Sequence, residues 1–517
     1  MAKNIIYQLL PRLWNTRGQR TPATGHFSDI DSSTLEYIKS LGVTHLWLTG
    51  VVRHSCTVSF PGAPGSIPEV VKGDAGSPYA IVDYYDVNPY LADNPSERMT
   101  EFEQTLSRVK NSGLKLIIDF VPNHVSRDYG KVALADKESS PLGDGDNPLV
   151  HWSRENDFYY YPGEPLRLPV KGRETKYFEY PAKASGNCFS PSPGVNDWYE
   201  TIRLNYCDFH TSTWDKMYEI VRFWCLKGVD AFRCDMVEMV PWQFFKWLIA
   251  RIKNEFPEVN FIAEVYSMDL YPLYIEEVGF DLLYDKSGMY DSLRAIVQGQ
   301  GSAKSLTGVW QRLGKLQGRM LNFLENHDEQ RFASDFFASD ASRTFASLGA
   351  SLLFNDSSFM IYSGEEIGER GMDCEGFSGL DGRTSIFDWC SPDSSGRLIE
   401  YSHTSQGLTP SQASLLERWR SLLNLSRDEV FSKGKTYDLG WCNTSGSRGF
   451  DPDRHFAFLR GNESRIELVI CNFSSKAADI DIFIPGDVFS FFGTNKTETT
   501  LRAISVNADD CLIMTVL

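Results

Sequence analysis

Gly228-Val-Asp-Ala-Phe-Arg-Cys-Asp235 is the stretch whose reading decides the fold. It is a short, mostly apolar run that closes on Arg-x-Asp. In an extended strand Arg233 and Asp235, two apart, leave one face, while Phe232 and Cys234 leave the other. Seven comparable runs accompany it: Ile5 to Leu10, His45 to Val51, Leu114 to Val121, Phe261 to Val265, Phe280 to Asp285, Met320 to Leu324 and Phe359 to Ser363. Between them lie windows such as Glu101 to Lys110, Trp214 to Leu226 and Trp242 to Phe256, whose apolar residues recur at helical spacing. Eight strand-helix units predict an α/β fold with a closed (β/α)8 TIM barrel. An open doubly wound sheet would carry a Gly-x-Gly-x-x-Gly turn, and none follows any of the runs.

The interval between the third and fourth runs is too long for one helix. Val125 to Tyr206 within it is rich in Gly, Pro, Ser and aromatic residues, which predicts a domain inserted after strand 3 and overhanging the strand ends. Ser411 to Leu425 reads as a last barrel helix, after which alternating runs such as Glu467 to Asn472 and Ile480 to Ile484 predict a C-terminal all-β sandwich domain. The expected boundaries are 1–124 and 207–431 for the barrel, 125–206 for the insertion and 432–517 for the C-terminal domain.

In such a barrel, chemistry sits where strands end and βα loops begin. The third run closes on Asp119-Phe-Val-Pro-Asn123-His124, the fourth on Arg233-Cys-Asp235, the fifth on Ala263-Glu264 and the seventh on Glu325-Asn-His327-Asp328. One strand-end carboxylate alone is ordinarily a helix cap or a surface charge. Four polar strand ends in one chain converge on one rim. Arg233 is expected to hold Asp235 ionised as a nucleophile, and burial on an apolar strand is expected to keep Glu264 protonated for a leaving oxygen. Two carboxyls so differentiated, about 5 Å apart, suit retaining glycoside hydrolysis. His124 and His327 would donate hydrogen bonds to sugar hydroxyls, and Asp328 adds a third anion.

These segments resemble the four motifs of the alpha-amylase family, glycoside hydrolase family 13. They are Asp119 to His124, Gly228 to Asp235, Phe261 to Glu264 and Phe323 to Asp328, all in order. The resemblance implies Asp235 as nucleophile, Glu264 as general acid/base and Asp328 as transition-state stabiliser. It places Arg233, His124 and His327 around the glucose whose bond breaks, and Tyr79, in Ser-Pro-Tyr-Ala-Ile-Val-Asp-Tyr-Tyr, as the residue stacked on that sugar. The barrel, inserted domain and C-terminal sandwich are also the family's architecture. Asn123 matches a calcium ligand of the family, whereas Arg203 stands where relatives place a ligating aspartate, and Thr16 to Asp31 lacks the acidic calcium loop of some members. After Asp235 the chain has Met-Val-Glu238 where many relatives have Lys-His, so Glu238 is expected to shape the acceptor side. The implied activity is cleavage of α-glucosidic bonds in maltodextrins or starch-like α-glucans. The same motifs serve α-glucosidases, a trehalose-forming isomerase and glucanotransferases, and an inert sugar-binding scaffold is disfavoured by the complete triad.

Composition narrows the partners. Across 517 residues the formal charge is −17 with no basic run, which argues against nucleic-acid and anionic membrane surfaces. No apolar run approaches the length of a membrane span, and Ile5 to Leu10 is too short for a signal-peptide core, so a cytoplasmic location is expected. Ten cysteines without metal-ligand spacing predict free thiols, and no phosphate loop points to an organic cofactor.

Overall fold

A computed structural model describes residues 3–15, 22–130, 142–169, 176–444 and 446–517. Thr16 to Arg20 and Thr21, the first part of the loop expected to lack a calcium-binding run, lie outside the described residues, as do 131–141 and 170–175 of the expected insertion. The eight apolar runs become eight parallel strands, β1 (Ile5–Leu9), β2 (His45–Leu48), β3 (Lys115–Phe120), β4 (Ala231–Cys234), β5 (Asn260–Ala263), β6 (Leu282–Tyr284), β7 (Met320–Phe323) and β8 (Ser358–Tyr362). They close in sequential order, β8 returning to pair with β1. Nearly every strand residue is buried, because the barrel interior covers one face and the helices the other.

The stretch around β4 shows how the chain is set locally. The helix Ser212–Lys227 stops at Gly228, whose φ of +100° favours glycine, and whose amide turns back to the Trp224 and Cys225 carbonyls at 3.2 and 2.9 Å. Val229 and Asp230 then lead into the strand. Trp214, Met217, Ile220, Val221 and Trp224 form the helix face buried against the sheet, at the three- and four-residue spacing visible in the sequence.

The segment after β3 leaves the barrel as expected. His124–Ser126 pairs antiparallel with Thr201–Arg203, closing the base of the insertion, and Tyr160–Tyr161 pairs with Ala182–Lys183 within it. The segment after β2 also carries a two-stranded ribbon, Val52–His54 against Ile81–Val87, which periodicity did not separate from loop. It brings Tyr79 over the barrel mouth.

Beyond residue 432 a four-stranded antiparallel sheet (Lys435–Asp438, His455–Gly461, Ile466–Asn472, Asp510–Thr515) faces a two-stranded one (Ala478–Ile484, Thr499–Val506). Ala457, Leu459, Leu468 and Ile470 meet Ile480, Ile482 and Ile484 in a second hydrophobic core. The alternate residues Phe456, Phe458, Val469 and Cys471 point the other way, into the main core, where Phe354 packs on Phe456 and Phe458 at ring separations of 4.7 and 4.9 Å. Period-2 alternation in these strands therefore serves two apolar faces. All ten cysteines are free thiols, and no described helix is long and apolar enough to cross a membrane.

Candidate active site

β4 and β5 run in register, with Cys234 opposite Ala263. The Glu264 amide extends the ladder to the Cys234 carbonyl at 3.2 Å. One step further along each strand stand Asp235 and Glu264, side by side at the roughly 5 Å spacing of neighbouring strands. Arg233, two residues before Asp235 and on the same face, places Nη1 2.6 Å from Asp235 Oδ1 and Nη2 2.9 Å from Glu264 Oε1. The guanidinium is wholly buried, within 6 Å of the rings of Trp47, Tyr79 and Tyr284. A charge so enclosed is tolerable because it is paired.

This sharing corrects one expectation. Arg233 does not serve Asp235 alone, and Glu264 is not an isolated carboxyl on an apolar strand. Burial pushes the Asp235 carboxyl well above its usual range, Arg233 pulls the other way, and the Glu264 charge adds to the rise. One cation is divided between two buried carboxylates, so its pull on Asp235 does not offset burial.

Three donors converge on Glu264. Tyr266 Oη donates to Oε1 at 2.7 Å, Arg233 stands beside the same oxygen, and the Met236 amide donates to Oε2 at 2.8 Å. Met236 adopts φ +46°, a left-handed conformation rare for a side chain of this size, and that turn aims its N–H at Glu264. Glu238 lies two residues on. Its Oε2 accepts the Tyr266 amide and its Oε1 the Ser267 amide, both at 3.1 Å. The carboxylate expected to face an acceptor is thus engaged with backbone. It also borders a cavity of about 380 Å³ lined by Tyr159, Arg203, Met239, Trp242 and Tyr274.

Asp328 joins from β7. Burial would raise its carboxyl, but the His327 ring, with Nε2 at 3.0 Å, outweighs that and holds it below its usual value. Gln8, on β1, donates through Nε2 to His327 Nδ1 at 2.7 Å, which leaves the ring proton on Nε2 for Asp328 and the Tyr79 hydroxyl. Tyr79 lies nearly parallel to the His327 ring, centroids 5.5 Å apart, and its hydroxyl reaches toward Asp119 at 3.5 Å. Asp235 feels the charges of both Glu264 and Asp328, so the three carboxylates lie within electrostatic reach of one another. His124 is buried beside Trp198 and hydrogen-bonded to the Tyr79 backbone. Burial, then Arg203 and Lys72, push its ring down to about 3, so it is neutral near pH 7.

A family profile described as "Alpha amylase, catalytic domain" matches residues 8–270, just over half of the chain. The chain belongs to the alpha-amylase family. Among curated relatives of this family, Alpha-amylase 3 of Dictyoglomus thermophilum is 25% identical over 348 residues, 65% of this chain and 59% of that protein. The alpha-1,4-glucan:maltose-1-phosphate maltosyltransferase of Picrophilus torridus is 25% identical over 283 residues, 54% of this chain and 35% of that protein. The chain therefore spans between about a third and three-fifths of these two curated relatives. Among solved structures, the maltogenic alpha-amylase AmyB of Thermotoga neapolitana superposes with a TM-score of 0.62 at 19% identity, covering 99% of this chain and 98% of that one. The alpha-amylase of Geobacillus thermoleovorans complexed with acarbose gives 0.63 at 17% identity, covering 99% and 98%. At such identity the structures establish the shared fold.

Asn123 and Arg203, the residues the resemblance relates to calcium, both act as hydrogen-bond donors. Asn123 turns its amide nitrogen to the Gly186 carbonyl at 3.0 Å and to His124 Nδ1 at 3.1 Å. Arg203 Nη1 donates to the same Gly186 carbonyl at 2.7 Å, and Nη2 to the Met239 carbonyl at 3.0 Å. Hydrogen-bond donors therefore occupy the place where oxygen ligands would be required, and a resident cation stands beside them. The residues do not fit calcium, which takes six to eight oxygens with carboxylates among them.

Gln8, Trp47, Tyr266 and Tyr284 were not singled out from sequence. Gln8, Trp47 and Tyr284 lie within the apolar runs near strand C-termini, and that position was the available signal. Tyr266, two residues past Glu264, had the same one.

Proposed function

We propose that this chain cleaves α-glucosidic bonds of maltodextrins or related α-glucans by a double displacement in which Asp235 is nucleophile, Glu264 general acid/base and Asp328 stabiliser of the oxocarbenium-like transition state. One observation carries the reading: Arg233 bridges Asp235 and Glu264 at neighbouring positions of adjacent strands, with the Asp328 charge within reach of Asp235. The roughly 5 Å strand spacing suits the retaining geometry.

The chemistry requires one proton at this pair. With it on Glu264, the Glu264 charge vanishes, the guanidinium acts on Asp235 alone, and Asp235 is held as carboxylate. Glu264 gives the proton to the glycosidic oxygen as the C1–O bond breaks, and Asp235 bonds to C1. Glu264, now ionised, takes a proton from water, whose oxygen attacks C1 and releases Asp235. A sugar hydroxyl in place of that water gives transfer. His327, with its proton on Nε2, and the stacked Tyr79 are placed to hold the sugar at this centre, with His124 and Arg203 supporting them from the base of the insertion. The reading requires neither an organic cofactor nor calcium at Asn123; the substrate is the partner, and neither nucleic acid nor membrane is involved.

Incubation with maltose, isomaltose, trehalose and maltoheptaose, followed by chromatography, tests this. Shorter products of maltoheptaose mean hydrolysis, and chains beyond seven units mean transfer. ¹H NMR should show the α-anomer released first. Intact sugars throughout, or first release of the β-anomer, would reject the mechanism.

A further inference from the structure

The loops after β4 and β5 hold each other by exchange. Glu264, from β5, accepts the Met236 amide of the β4 loop, while Glu238, from the β4 loop, accepts the Tyr266 and Ser267 amides of the β5 loop. Each glutamate thus satisfies backbone donors on the other's segment. The far end of this exchange is the Tyr266 hydroxyl, 2.7 Å from Glu264 Oε1. The Tyr266 side chain is anchored at its backbone by Glu238, so the carboxylate that secures the loop also fixes where the phenol points.

We infer that Tyr266 is a positioning residue that sets the proton affinity and orientation of Glu264, and that Glu238 acts through it. This rests on the proposed role of Glu264 as acid/base. A phenol donating to a carboxylate stabilises the ionised form, which Glu264 needs when it accepts a proton from water. The same bond fixes the Oε1 edge, leaving Oε2, with its single backbone donor, as the oxygen that exchanges the proton. Partial burial and the adjacent Glu264 push the phenol far above its ordinary range, so Tyr266 keeps its proton and remains a donor. The groups facing Glu264 are Arg233 and Asp235 from β4, Tyr284 from β6 and Tyr266 itself, with Asp328 from β7 within electrostatic reach of Tyr266 and Asp235. None but Tyr266 is coupled to Glu238 through a main-chain anchor among the described contacts.

The test is the pH profile of kcat/KM for Tyr266→Phe, Glu238→Ala and the double variant, on whichever of the four sugars above the wild type turns over. Loss of the phenol donor raises the proton affinity of Glu264, so the alkaline limb should move up by about 0.5–1 pH unit in Tyr266→Phe, with kcat lower by about tenfold. Glu238→Ala should move the limb in the same direction, and the double variant should move it no further than Tyr266→Phe alone. A limb superimposable on wild type in Tyr266→Phe, or additive shifts in the double variant, overturns the inference. An inactive wild type would instead sink the proposed function, so the two failures are distinguishable.

Discussion

At Asp235, burial and the neighbouring Glu264 charge oppose one guanidinium, and burial prevails. A carboxyl whose proton affinity is higher in the folded state than in the unfolded chain gives its full stabilisation below the unfolded value of about 3.9 and loses it as pH rises through the folded value. Asp235→Asn removes that loss. The variant should therefore melt a degree or two above wild type at pH 7, with the gap closing toward pH 4, while turnover falls by at least about 10³-fold. Scanning calorimetry at the two pH values checks it, and a variant less stable than wild type at pH 7 would contradict the charge balance. Glu264→Gln should lower kcat by about 10²–10⁴-fold, since it removes only proton transfer. The placement of Asp235, Glu264 and Asp328 beyond strand ends was legible because strand-end position is a one-dimensional property. The partition of Arg233 between two carboxylates was not, because it depends on the register of β4 against β5, which no spacing within either strand specifies.

At the scale of elements, apolar runs of five to eight residues marked all eight barrel strands, and helical spacing marked the helices that cover them. The ribbon bearing Tyr79 escaped because Ile81 to Val87 is buried on both faces and mixes polar with apolar residues, so it does not alternate. The join between the insertion and the barrel left calcium open for a different reason. Asn123 has the right residue type for a cation ligand, but its amide nitrogen shares the Gly186 carbonyl with Arg203, which the pairing of His124–Ser126 with Thr201–Arg203 brings alongside. Arg203→Met should lower the melting temperature by a few degrees, by stranding the Met239 carbonyl and leaving Gly186 with the Asn123 donor alone. Excess EDTA should leave the wild-type melting curve unmoved. A chelator-induced drop would return calcium to this join.

For the whole molecule, the barrel and the C-terminal sandwich share a wall. The C-terminal domain was legible from its alternation, but alternation alone does not say that the second face of the sheet is also apolar, closed by Phe354 over His455–Gly461 and by the helix Thr344–Leu353 over Ile466–Asn472 and Asp510–Thr515. Phe458→Ala should cost about 3–5 kcal/mol, because the site is ringed by Phe354 and Phe456 and has little freedom to collapse. Chemical denaturation midpoints would register this, and a change within 1 kcal/mol would deny the wall its role.

A strand that belongs to two interiors cannot melt out of one while staying in the other. Heating should then give a single endotherm with coincident far- and near-ultraviolet transitions, and a proteolytic cut near residue 432 should release no independently surviving barrel.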